Sequence, residues 1–109
     1  MDIISYDDFA KIDIRIGEVK AAERVVGTDK LIKCTVDFAE IGERTIVSGI
    51  ADYISPEGLV GKRLPYIINL ASRIIKRVES QGMLLALSFG DDFSLLVPER
   101  DVPLGTKVR

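Results

Sequence analysis

Histidine and tryptophan are absent, cysteine occurs once, and aromatic residues make up only 6% of the 109 positions. The lack of histidine removes imidazole acid–base chemistry and Cys–His nucleophilic pairs, and a lone Cys34 leaves no intramolecular disulfide and no Cys/His zinc site. The 17 acidic residues are scattered and fall in no recognisable catalytic arrangement, so the expectation is a protein that is not an enzyme and uses no metal or cofactor. No apolar run approaches the ~20 residues of a membrane span. The opening Met1-Asp2-Ile3 has neither the basic nor the apolar region of an export signal. A cytoplasmic chain without membrane association is expected.

What is present suits one folded domain over residues 1–109. A hydrophobic fraction of 47% fills a core and a charged fraction of 29% covers it. Ser5 with Asp8 three residues on has the form of a capping box, flanked by Ile4 and Phe9 at the staple positions, which predicts a brief helix. The period then changes to two. Ile12, Ile14 and Ile16 alternate with Asp13 and Arg15; at Gly17 the phase slips to Val19 and Ala21, which predicts a bulge that bends the first strand. Ile32, Cys34, Val36 and Phe38 mark one face of a second strand, Thr45 to Ile50 a third, Leu64 to Leu70 a fourth and Met83 to Phe89 a fifth. Gly90-Asp91-Asp92 turns the chain back toward Ser94–Val97, and a last edge falls near Lys107-Val108. Five strands with a bent first strand and no long helix predict an all-β, five-stranded OB-fold Greek-key barrel with a short N-terminal helix and a C-terminal extension; a β-sandwich is the alternative.

The net charge is −2, yet its distribution is uneven. Between Gly58 and Val78 lie Lys62, Arg63, Arg73, Lys76 and Arg77 and no acidic residue. Such a run is either a solvated surface loop or a face that tracks phosphates. It leads into Glu79-Ser80-Gln81-Gly82-Met83, where polar residues stand at the mouth of an apolar strand. A β-turn followed by a core methionine accounts for them structurally. A functional account has Ser80 and Gln81 hydrogen-bonding a ligand, Gly82 admitting close approach and Met83 giving a polarizable contact to a base. Asn69 ends the fourth strand beside them, a residue type that reads base edges or satisfies its own backbone. Tyr53 and Tyr66 are the candidate stacking rings, with Tyr66 also placed to face the core. So few rings argue for recognition of a shaped RNA over generic single-strand binding. Cys34 falls in the apolar alternation and reads as a core residue.

Three segments, DFAKIDIRIGEVKAAERV (8–25), DKLIKCTVDFAEIGERTIVSGIADYISPEGLVGKRL (29–64) and NLASRIIKRVESQGMLLAL (69–87), resemble one family. It is the tRNA-binding domain found as the C-terminal part or β-subunit of methionyl-tRNA synthetases and in free-standing structure-specific tRNA-binding proteins. The resemblance implies an OB-fold that binds the outer corner of tRNA, is a homodimer, and acts with a methionyl-tRNA synthetase catalytic chain. It carries the RNA face onto Lys30, Lys33, Asn69, Arg73, Lys76, Ser80 and Met83; Gln81 and Arg77 join them by position. Relatives often read NLKPRKLRGVESQGM here, so Ala71 and Ser72 replace a Lys-Pro pair, Ile74 a basic residue and Arg77 a glycine, which strains the chain if that position needs a positive φ. A second branch, the export-related chaperones that bind unfolded polypeptides, tends to read SEVLVLG where this chain has SQGMLLA. A scaffold that only dimerises or docks on a synthetase is the third reading.

Overall fold

Alternating apolar residues in the first half of the chain build a curved antiparallel sheet. The computed structural model describes residues 1–109. It begins with α1 (Tyr6–Ala10), where the Ser5 hydroxyl accepts from the Asp8 amide at 3.1 Å and the Asp8 carboxylate accepts from the Ser5 amide at 3.4 Å. The expected capping box is therefore formed, although α1 buries none of its residues. The strands β1 (Ile14–Arg24), β2 (Ile32–Asp37), β3 (Glu43–Ser48), β4 (Arg63–Ile67) and β7 (Met83–Leu84) make one sheet in the order β3-β2-β1-β4-β7. A one-turn helix, α2 (Pro56–Leu59), joins β3 to β4 and is capped by Ser55. Two short hairpins flank the sheet, β5 (Arg73–Ile75) with β6 (Val78–Ser80) and β8 (Ala86–Phe89) with β9 (Asp92–Leu95). No helix is long and apolar enough to cross a membrane.

The interior side of the sheet carries one apolar cluster. Val19, Ile32, Val36, Phe38, Ile46 and Leu64 are wholly buried there. Tyr66 meets Phe38 edge-on, with ring centroids 5.7 Å apart and planes at 87°, a geometry the aromatic quadrupoles favour. Tyr66 is thus a core ring, and burial pushes its phenol well above the usual range. Cys34 belongs to the same cluster, and burial pushes its thiol up to about 11.

The bulge expected in the first strand is present, but it lies at Lys20 and not at Gly17. The β1–β2 register runs evenly from Arg24↔Ile32 to Ala21↔Thr35 and then skips, leaving Lys20 as the extra residue before Val19↔Val36. Gly17 is required for space: a Cβ there would lie 2.5 Å from Val36 Cγ1 and 2.6 Å from Phe38 Cε1. The change of phase that marks it in the sequence reflects two covered sides. Gly17 pairs with Leu64 and faces inward with Val19, whereas Ile14 and Ile16 pair with Ile67 and Pro65 and lie outside the main cluster. Their part of β1 is covered by the C-terminal extension. Gly105 and Val108 donate amides to the Ile16 and Ile14 carbonyls, Ile16 donates to Thr106, and Arg15 bridges Lys107.

The expected fifth strand, Met83 to Phe89, is divided. Met83 and Leu84 pair with Ile67 and Tyr66 of β4, and Leu85 donates to the Pro65 carbonyl at 3.0 Å. Pro65 has no N–H to return, so the ladder stops and residues from Ala86 onward pair with β9 instead.

Closure of the sheet depends on the short stretch between β6 and β7. The exposed edge of β3 is satisfied mainly by side chains. The Val47 amide donates to the Ser80 hydroxyl at 3.0 Å, and the Thr45 amide donates to the Gln81 side-chain oxygen at 3.0 Å. The Gln81 amide returns a 2.8 Å bond to the Thr45 carbonyl. Arg44 adds guanidinium bonds to the carbonyls of Ile68 and, at 3.5 Å, Gln81. The result is a nearly closed five-stranded antiparallel barrel, the expected OB-type architecture, and not a sandwich.

Two substitutions test the seam. Ser80→Ala strands the buried Val47 amide and is expected to cost about 1–3 kcal/mol in urea denaturation. Gly82→Ala places a Cβ 2.8 Å from the Ile67 carbonyl oxygen and is expected to lower the midpoint as well. Unchanged midpoints for both would show that the seam does not hold the barrel.

Candidate nucleic-acid interface

The last part of the acid-free segment, from Arg73 to Val78, forms most of a hairpin, not a loop. β5 and β6 pair as Arg73↔Ser80, Ile74↔Glu79 and Ile75↔Val78, with Lys76 and Arg77 as the two residues of the turn. Both are in the left-handed region, at φ 49° and 69°. Positive φ at both central positions is the mark of a primed type I turn, whose twist suits a hairpin but which favours Asn and Gly. The strain anticipated for Arg77 is present, and Lys76 shares it. This turn holds two long cationic side chains out at the tip.

The seam fixes where the tip points. Ser80 anchors the base of β6 to β3, and the hairpin extends from that anchor toward the β1–β2 connection. A groove of about 360 Å³ lies there, lined by Arg24, Lys33, Lys76 and Arg77 with Glu23, Val25, Val26 and Val78. Lys33 is paired with Glu23 at 2.8 Å, while Arg24, Lys76 and Arg77 make no ion pair. Three unpaired cations and one paired cation around a single opening repel one another until an anion enters. Such a surface draws polyanions within a screening length of about 8–10 Å.

A second recess, about 430 Å³, lies at the hairpin base, lined by Leu70, Ala71, Ser72, Arg73, Ser80, Gly82 and Met83. Arg73 makes no ion pair, and Glu79 of the same hairpin accepts from the Ser72 hydroxyl at 3.0 Å. Met83 is 43% exposed although it belongs to β7. An exposed thioether beside a guanidinium offers a flat, polarizable contact of the kind an unstacked base takes.

The nine expected site residues therefore separate. Lys33, Lys76 and Arg77 meet in the tip groove, and Arg73, Met83 and Ser80 meet at the base. Ser80 is only 4% exposed and its hydroxyl is engaged with Val47 and Gly82, so the hydrogen-bonding capacity expected for a ligand closes the barrel instead. The Gln81 side-chain oxygen is likewise engaged with the Thr45 amide. Asn69 accepts from the Asp13 amide at 2.8 Å and donates to the Lys11 carbonyl at 2.5 Å, tethering the end of β4 to the segment before β1. Lys30 is exposed but lines neither recess. The other cations of the acid-free segment lie elsewhere. Arg63 pairs with Glu18 at 3.2 Å and donates to the Val102 carbonyl at 2.7 Å, and Lys62 lines a recess with Arg63, Arg100, Glu18 and Asp101. Hydrogen bonds from Lys20 first and Arg63 second hold the Glu18 carboxyl below its usual range.

Arg24 and Glu23 were not anticipated. The signal for them was positional, since a hairpin between β1 and β2 sets Glu23 opposite Lys33. Tyr53, the remaining candidate ring, is half exposed and already stacked on Phe93, with centroids 5.2 Å apart and planes at 13°.

Residues 14–107 match the family described as "Putative tRNA binding domain". The chain is 48% identical over 109 residues to the methionine–tRNA ligase of Methanoculleus marisnigri, and 48% identical over 110 residues to that of Deinococcus radiodurans. These alignments take in 100% and 98% of the chain but 16% of each ligase, so the chain spans about one-sixth of their length. Among solved structures it is similar to a MetRS related protein from Pyrococcus horikoshii, with a TM-score of 0.94, 43% identity and full coverage of both chains. It is also similar to the chaperone CsaA of Bacillus anthracis, with a TM-score of 0.90 and 28% identity over 99% of this chain and 100% of that one.

The turn geometry yields a stability prediction. Arg77→Gly removes the Cβ penalty of a left-handed residue and is expected to raise stability by about 1 kcal/mol in urea denaturation. A lowered midpoint would contradict the strain.

Proposed function

The chain belongs to the tRNA-binding domain family, and we propose that it serves as a non-catalytic, structure-specific tRNA-binding module of methionyl-tRNA synthetase, acting as a β-subunit or as a cofactor in trans. The observation that carries this reading is the cationic groove where Lys76 and Arg77 of the hairpin tip meet Arg24 and Lys33. Phosphates supply the counter-charge that the groove lacks, and Arg73 with Met83 takes an exposed base at the hairpin base. The seam residues Ser80 and Gln81, and Asn69 at the end of β4, act by positioning this surface. Lys30 extends it along the β1–β2 connection.

Chemistry takes place on a catalytic chain elsewhere, and the module raises the local concentration of tRNA beside it. Similarity to part of two methionine–tRNA ligases supports that pairing. A homodimer in the cytoplasm completes the proposal. Its support is an apolar recess of about 290 Å³ that includes Ile16, Pro65, Leu96, Val108 and the exposed Val97, together with the exposed Leu87 and Phe89 of β8. The alternative, a chaperone for exported polypeptides, draws on the likeness to CsaA and on those same exposed apolar residues.

The tRNA reading predicts a gel shift at low salt, with log affinity falling against log salt by about 0.7–0.9 per phosphate contacted. Arg73→Ala/Lys76→Ala protein is expected to bind at least about tenfold more weakly and to lose one to two units of slope. No shift at low salt would contradict the reading. An unaltered double variant that still suppresses aggregation of an unfolded client would favour the chaperone. Light scattering is expected to give twice the chain mass, and a single chain mass would remove the dimer.

A further inference from the structure

Glu23 is the only carboxylate lining the tip groove, and it faces the four cations there. It stands directly across from Lys33 in the β1–β2 register, and its Oε1 lies 2.8 Å from Lys33 Nζ. We propose that Glu23 is a built-in anion mimic, which occupies Lys33 in the free protein and must be displaced by an incoming phosphate. The inference deepens the tRNA-binding reading of this groove and rests on it. It assigns Glu23 a role in selectivity: a ligand must present several phosphates to gain more than the pair it breaks.

The geometry suits displacement. Both side chains are well exposed, 66% for Glu23 and 38% for Lys33, and an ion pair of that kind contributes little and breaks readily. Once displaced, the carboxylate remains beside the bound phosphate and repels it. It also takes up a cation from solution as the phosphate releases one, so the Lys33 contact adds almost nothing to the salt dependence. A small single anion gains one contact and meets this repulsion. A polyanion reaching Arg24, Lys76 and Arg77 together gains three contacts with no carboxylate to displace. Repulsion placed against the wrong ligand is a general route to specificity.

The test compares Glu23→Gln, Lys33→Gln and the double variant, titrated with tRNA and separately with inorganic polyphosphate across low to moderate salt. Glu23→Gln is expected to bind tRNA up to about fivefold more tightly at low salt, with a slope steeper by about 0.7–0.9 and an unchanged urea midpoint. Lys33→Gln is expected to cost more affinity in the Glu23→Gln background than in the unaltered protein. Equal or weaker tRNA binding by Glu23→Gln, or an unchanged slope, would overturn the proposal and make Glu23 a residue that merely positions Lys33. If the unaltered protein bound no tRNA while Glu23→Gln still strengthened polyphosphate binding, the tRNA reading would fall and the masking role would stand. If neither polyanion responded to Glu23→Gln, the masking role would fall whatever the tRNA result.

Discussion

The free edge of β3 is the constraint on which the rest of the molecule depends. A five-stranded sheet that curls without closing leaves amides exposed at its first strand, and buried amides without partners are costly. Here Ser80 and Gln81 supply side-chain acceptors to Val47 and Thr45, and Gln81 adds one backbone bond. Gly82 lets the chain pass against the Ile67 carbonyl, where a larger residue would collide. Three consecutive residues thus replace a strand ladder, and the barrel interior from Val19 to Tyr66 is sealed behind them.

Because the seam is made by side chains at the root of β6, the hairpin above it is free to project. Its tip carries Lys76 and Arg77 in a left-handed turn that their side chains disfavour. Strain at such positions is commonly kept where the side chains matter for function. A glycine at the second position would relax the backbone and remove one of the four cations from the groove. Stability and charge therefore pull in opposite directions at Arg77, and this chain carries the charge. At the hairpin base, by contrast, the cation and the thioether of Arg73 and Met83 sit on relaxed strand backbone.

Much of the barrel was legible in the sequence, because alternation over Ile32–Phe38 and the Ser5/Asp8 box are local signals with a single reading. Gly17 was misread because one strand's period cannot tell a bulge from a change in which side is covered; the answer lay in Val36 and Phe38, on another strand. The division at Leu85 turned on Pro65, whose missing N–H matters only once β4 and β7 are known to pair. Ser80 and Gln81 looked like ligand-binding groups for a physical reason: a polar residue that closes a seam and one that binds RNA use the same hydrogen-bonding atoms. The basic run told where cations concentrate but not that Lys62 and Arg63 line a different recess from Lys76 and Arg77. Glu23 and Arg24 lay outside it and join the groove only through the β1–β2 register.

The central claim is that the seam fixes a cationic hairpin tip beside the β1–β2 connection, and that this tip, not the seam itself, meets RNA. A map of backbone amide signals of isotope-labelled protein during titration with tRNA tests it most directly. The account predicts that the largest changes fall at Arg24, Lys33, Arg73, Lys76, Arg77 and Met83, while the amides of Thr45 and Val47 keep their positions. Changes centred on the recess of Lys62, Arg63 and Arg100, with the hairpin tip undisturbed, would contradict it.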